Sequence, residues 1–222
     1  MTWTLALAVT SSGIGAAKIG ADDVPENTGY YPPEVERALA FSAEGESTRV
    51  PEKTVLVVEV DIPPHQLRWF LGEMVIAGIP TRTVQVRSDT EVLATTYGEP
   101  VLLVDADREA MVPPAGTGGE PLHAGRAGEI VGDTGARVVV VGHEEVRGKV
   151  LTAFHDLDPV ELDRVDVARL ALENPTTESL LTIPPREEDA VEPADRRNMS
   201  VVGFMSVLAV ALAVILAISF FF

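Results

Sequence analysis

From Val201 to Phe222 the chain reads VVGFMSVLAVALAVILAISFFF, without a charge, a proline, an asparagine or a glutamine. No other stretch restricts the fold as strongly. A helix of this length measures roughly 33 Å at about 1.5 Å per residue, which matches a hydrocarbon core of ~30 Å. Every backbone N–H and C=O within it can pair along the helix, as lipid requires. The expectation is a single-pass C-terminal anchor over 200–222, with Val201, Phe204, Leu208, Leu212, Ile215, Phe220 and Phe222 among its lipid-facing side chains. Residues 184–199, charged and proline-bearing, read as a tether, and 1–183 as an acidic soluble domain. Arg196 and Arg197 lie just before the apolar run, so the positive-inside rule keeps the domain on the cytoplasmic side or its topological equivalent in a virion or vesicle.

The chain holds 34 acidic and 17 basic residues, for a net charge of −17, and none of these charges falls in the apolar run. Lys18, Lys53 and Lys149 are its only lysines. An acidic, lysine-poor surface fits a salt-adapted protein, and it argues against nucleic acid, which needs Lys and Arg clustered on one face. The absence of cysteine excludes disulfides, thiolate catalysis and zinc–thiolate sites.

Along the soluble part, alternation predicts a strand over 2–9, with Trp3, Leu5, Leu7 and Val9 on one face. Residues 10–31 read as loop. Pro32 and Pro33 can open a short helix carrying Val35, Leu39 and Phe41. Residues 55–60 read as a strand buried on both faces, followed by a helix from Pro63-Pro64 with the stripe Leu67, Phe70, Leu71, Met74 and Val75. Residues 83–87 alternate as a half-exposed strand, Ser88-Asp89 marks a turn, and 92–96, 101–105 and 137–141 read as short strands, with another over 152–154. Seven glycines between 112 and 135 suggest a long contact loop, and Asp158-Pro159-Val160-Glu161 a helix start. No repeat of 20–50 residues is visible. These elements predict an α+β domain with a mixed sheet and packed helices, followed by the transmembrane helix. The alternative is a β-sandwich or jelly-roll with added helices.

Candidate chemistry is sparse. Leu5–Val9 followed by Thr10-Ser11-Ser12-Gly13-Ile14-Gly15 resembles the nucleotide-binding turn of short-chain dehydrogenases, in which a strand runs into a Thr-Gly-x-x-x-Gly-x-Gly turn and a helix receives the pyrophosphate. The resemblance spans about fifteen residues. The turn here is two residues short and lacks the first glycine; Asp22, Asp23 and Pro25 interrupt the helix; and no tyrosine has a lysine four residues on. The segment from Gly142 to Lys149 is one residue too long for a phosphate loop, puts Val150 at the Mg²⁺-binding position, and reads as an exposed turn.

Asp105, Asp107 and Glu109, and likewise His155, Asp156 and Asp158, place oxygen donors at alternating positions, but neither follows a metal-loop pattern, and chance clusters are expected among 34 acids. The four histidines, 65, 123, 143 and 155, are scattered. The sequence therefore predicts no catalytic, cofactor or metal site. It predicts a non-enzymatic structural subunit fixing an assembly (a virion shell or an envelope complex) to a bilayer, with lipid and other subunits as partners. The alternative is a tail-anchored enzyme or nucleotide-binding regulator using the Ser11–Gly15 turn.

Overall fold

A computed structural model describes residues 2–176 apart from 115 and 117. The tether at 184–199 and the apolar run, with Arg196, Arg197 and the seven lipid-facing residues named above, lie outside the described residues. Among those described, no helix is long and apolar enough to cross a membrane.

Among the described residues ten strands and six α-helices form an α+β fold with two mixed five-stranded sheets. The first half consists of β1 (Thr4–Val9), β2 (Ile14–Ile19), β3 (Pro25–Tyr31), α1 (Val35–Ser42), β4 (Lys53–Val58), α2 (Pro64–Ile76), β5 (Val84–Ser88) and α3 (Asp89–Tyr97). The second consists of β6 (Val101–Asp105), β7 (Ala110–Val112), β8 (Glu120–Pro121), α4 (Ala124–Thr134), β9 (Arg137–Val141), α5 (Glu144–Phe154), β10 (Val160–Leu162) and α6 (Arg164–Glu173). The sheet orders are β3-β2-β1-β4-β5 and β8-β7-β6-β9-β10. In each half an antiparallel meander leads through a helix to two further strands, both parallel to the first. The domain is thus one topology used twice. The parallel pairs exclude the jelly-roll alternative and replace the single expected sheet with two.

Three cores hold the layers together. The outer face of the first sheet packs Trp3, Leu5, Leu7 and Leu56 against Leu39 of α1 and Phe70 and Met74 of α2. The outer face of the second sheet packs Leu102, Val104 and Val140 against Ile130 of α4 and Phe154 of α5. Between the sheets lies a third core containing α3 and α6. In the first sheet β1 and β2 offer this middle layer small side chains, Ala6, Ala8 and Ala17, beside Val55 and Val57 of β4, whereas the second sheet offers Val101, Leu103 and Val139. Gly15 completes the small surface, since a Cβ there would fall 2.3 Å from the backbone carbonyl carbon of Arg164. The start of α6 therefore lies directly against β2.

Several expectations are corrected. Residues 10–31 hold two strands: the Thr10 N–H donates to the Gly13 carbonyl at 2.9 Å and closes a hairpin. Ser88 is a helix cap, its hydroxyl accepting from the Glu91 N–H, so 92–96 is helical despite its β-branched residues. Arg87, placed on a half-exposed strand, is fully buried, and Val75, placed in the α2 core stripe, is exposed.

The glycine-rich 112–135 region contains α4, capped by the His123 Nδ1 and ended by Gly135 in the left-handed region at φ 65°. Residues 144–154 form α5, which replaces both the exposed turn and the strand at 152–154. The helix expected from Asp158 starts at Arg164, where Asp163 and Asp166 form a capping box, and Val160–Leu162 is strand.

A candidate site at the strand ends

The carboxyl ends of parallel strands, where α/β folds commonly bind ligands, carry most of this domain's buried charge. Glu59 and Asp61 follow β4, Asp89 follows β5, Asp105 ends β6 with Asp107 and Arg108 in its turn, and Arg164 follows β10. The five carboxylates and two guanidinium groups meet where the two sheets face each other.

Arg164 is the hub. Its Nη2 lies 2.6 Å from Asp105 Oδ2, its Nε 3.4 Å from Asp107 Oδ2, and its Nη1 4.0 Å from Asp89 Oδ2. Burial opposes its charge, but Asp105, Asp89 and Asp107 outweigh that and hold its pKa above the usual arginine value. Burial pushes the Asp89 carboxyl up to about 7, against Arg164 and a hydrogen bond from the Thr90 N–H.

Asp105 and Asp107 also organise backbone. Asp105 Oδ1 accepts from the N–H groups of Asp107 and Arg108, and Asp107 Oδ1 accepts from the His143 N–H at 2.8 Å. A second group lies beside the first. Arg108 donates from both terminal nitrogens to Asp61, each at 2.8 Å, and its Nη1 stands 3.3 Å from Glu59 Oε2. This bidentate bond holds the Asp61 carboxyl below its ordinary range. Burial raises Glu59, with Arg108 opposing it, and Glu59 Oε1 has no hydrogen-bond partner among the described residues.

A cavity of about 190 Å³ adjoins the hub, lined by Tyr30, Gly142, His143, Glu144, Arg147, Asp163, Arg164 and Val165. It opens at the N-termini of α5 and α6. The Arg147 Nη1–H is directed at the Gly142 carbonyl at 3.2 Å, and its Nε lies 3.7 Å from Glu161.

The Ser11–Gly15 turn lies in the β1–β2 hairpin, and residues 14–19 are strand where the dehydrogenase resemblance requires a helix. Its glycines have packing roles: a Cβ on Gly13 would fall 2.3 Å from the Tyr30 hydroxyl, and Gly15 meets α6 as described. The Thr10 hydroxyl is taken up within the turn, accepting from the Ser12 and Gly13 N–H groups and donating to the Gly13 carbonyl. Asp105 and Asp107 point at Arg164 rather than at a common cation position. Glu109 sits in the same turn with φ 51°. His155 and Asp156 form an exposed pair at 3.0 Å, and the four histidines stand apart, His65 in α2, His123 before α4, and His143 and His155 at opposite ends of α5. No group of three His, Asp or Glu side chains among the described residues is placed to hold a metal ion.

Sequence reading missed Glu59, Asp61, Asp89, Arg108 and Arg164. The available signal was positional, an acid closing or following an apolar strand at Val58-Glu59, Ser88-Asp89 and Val104-Asp105. Nothing in the sequence separates Arg164 from the other arginines. No protein-family model matches the chain, and no curated protein matches it.

Proposed function

We propose that the chain is a non-enzymatic, membrane-anchored structural subunit that fixes a larger protein assembly to a bilayer. The observation that carries this reading is the uninterrupted apolar run Val201–Phe222, long enough to span a hydrocarbon core and preceded by Arg196-Arg197. The strand-end cluster supports it. The carboxylates that could serve as acid or base are largely committed to Arg164, Arg108 and backbone N–H groups, as expected of a cluster that organises the junction of two sheets.

Fractionation of the full chain tests the reading. The intact protein is expected to sediment with membranes through an alkaline wash, and removal of 199–222 to release a folded, soluble domain. Crosslinking in native membranes is expected to capture stable partner subunits. A monomer in mild detergent that yields no crosslinked partner overturns the assembly role, and an intact chain recovered in the soluble fraction overturns the anchor.

The second reading, a tethered nucleotide-binding regulator, is favoured by one observation, the cavity beside Arg147 and Arg164. At about 190 Å³ it falls below the ~300–1,000 Å³ usual for small-molecule sites, which places this reading second. Thermal unfolding with millimolar adenine or nicotinamide nucleotides separates the two. An unchanged midpoint is expected, and a rise with either nucleotide reverses the order.

A further inference from the structure

Six large hydrophobic residues are exposed among the described residues, and three of them, Trp69, Val75 and Ile76, belong to α2. Phe70 and Met74 face the first sheet, with Leu67 and Leu71 half-buried beside them. Trp69, Gly72 and Ile76 then recur at i, i+3 and i+7 on the opposite face, with Val75 adjoining. Ile76 is 75% exposed, and a Cβ on Gly72 would meet nothing within 4 Å, so nothing among the described residues covers this stripe.

The flanks of the stripe are distinctive in charge. The exposed positions of α2 are Pro64, His65, Arg68, Trp69, Gly72, Val75 and Ile76. None of these is acidic, in a chain with twice as many acids as bases, and the one acid of the helix, Glu73, is half-buried one turn beyond Trp69. Arg82 follows in the turn after the helix. A helix face with an apolar stripe, an indole and a basic flank suits the headgroup–acyl boundary of a bilayer, where tryptophan is enriched and arginine can reach lipid phosphate.

The position of the chain's exit permits such contact. Thr176 is held at β5, its carbonyl accepting from Gln85 Nε2 at 2.8 Å. The stretch from 177 to 200 is 24 residues long. At ~3.3 Å per residue it reaches at most about 80 Å. A domain of this size is about 40 Å across. The length therefore allows the domain to turn any face toward a membrane that holds Val201–Phe222.

We infer that the outer face of α2, through Trp69, Val75 and Ile76 with Arg68 and His65 beside them, docks onto the surface of the bilayer in which the chain is anchored. The inference rests on the anchoring reading above. Three side chains bind a membrane weakly on their own, but a tether makes the contact intramolecular and raises its effective concentration. The anchor then sets the distance of the domain from the membrane, and α2 sets its orientation.

The two tryptophans allow a direct test. Trp3 is buried and donates from Nε1 to the Thr48 carbonyl at 3.0 Å, so Trp69 is the residue able to meet lipid. The full chain is reconstituted into phosphatidylcholine vesicles, with and without bromine on the acyl chains near the headgroup, and flotation measures anchoring separately. Brominated lipid is expected to quench the Trp69 emission. Trp69→Phe is expected to remove that quenching, and Ile76→Asp to weaken it, while both variants still float.

A chain that floats with Trp69 emission indifferent to bromine and open to acrylamide overturns the docking and leaves the anchor intact. Emission shielded from acrylamide but indifferent to bromine also overturns it, because a second copy or another protein then covers α2. A chain that does not float overturns the anchor and the docking together.

Discussion

Thr10 and Asp105 hold equivalent places in the two halves. Each follows the inward-facing residues of the strand that opens its sheet, and each has a side-chain oxygen that accepts from the N–H groups two and three residues on. The first half makes this turn with a hydroxyl and the second with a carboxylate. The first residues of α3 and α6 differ similarly: Asp89 begins the helix after β5, and Arg164 the helix after β10. One backbone plan thus carries two charge patterns, and they complement each other, because Arg164 of the second half faces Asp89 of the first. The backbone device satisfies local N–H groups with either chemistry. The choice of chemistry determines which half's charge must be paired across the junction.

The largest expected effect comes from removing the hub. Arg164→Ala leaves Asp105, Asp107 and Asp89 without their shared cation in a buried site, a loss of about 3–5 kcal/mol in urea unfolding. A cost under about 1 kcal/mol would mean that water reaches the cluster and that the charge pattern does not hold the halves together.

Gly15→Ala tests the other asymmetry, the small surface that the first sheet offers α6. The obstructing atoms are backbone and cannot swing aside, so a cost of about 1–3 kcal/mol is expected, with α6 displaced from β2. Retention of the wild-type urea midpoint would show that α6 does not need this close approach.

Asp89→Asn addresses the charge in the first half. A carboxyl whose folded pKa is near 7 and whose unfolded value is near 3.9 binds its proton more tightly in the folded state. Its contribution to stability is therefore full below about pH 4 and is lost as pH rises through about 7. Asp61, held low by Arg108, acts in the opposite sense, its contribution disappearing as pH falls through its folded value. The asparagine variant should gain on wild type by about 1–2 kcal/mol between pH 6 and pH 8. Equal urea midpoint differences at the two pH values would remove Asp89 as the titrating group.

Thr10→Ala removes the neutral turn's acceptor and should cost about 1 kcal/mol. It leaves the pH dependence unchanged. The smallest expected effect is a gain. Gly128 sits inside α4 with nothing within 4 Å of a Cβ, so Gly128→Ala should stabilise by about 0.5–1 kcal/mol, raising the thermal midpoint.

The elements legible in the sequence were those with dense apolar signal or clear punctuation: β1, β4, β6 and β9 from runs of Val, Leu and Ala, and α2 from its paired prolines. The illegible ones lie where packing overrides local pattern. In β2, Gly15, Ala16 and Ala17 carry no alternation, because α6 requires small residues at Gly15 and Ala17 while the outward-facing residue between them is also an alanine. Edge strand β3 is the polar PENTGYY. Helix α4 contains three glycines and owes its place to Ala127 and Ile130 packing on the second sheet. Ser88 and Glu91 offered a helix-cap spacing, but the β-branched residues that follow favoured strand. The strand-end site was hidden because its residues come from four separate segments, and no periodicity reports which arginine will be buried.

The contact of Gly15 with the start of α6 joins the beginning of the domain to almost its last element. During synthesis the inner face of the first sheet stays uncovered until residues near 173 have emerged, however early its strands pair. This long sequence separation makes closure a late, slow step. Val201–Phe222 lies downstream of that step. The domain can therefore seal its middle layer before the most apolar part of the chain leaves the ribosome, which keeps the two hydrophobic surfaces apart in time.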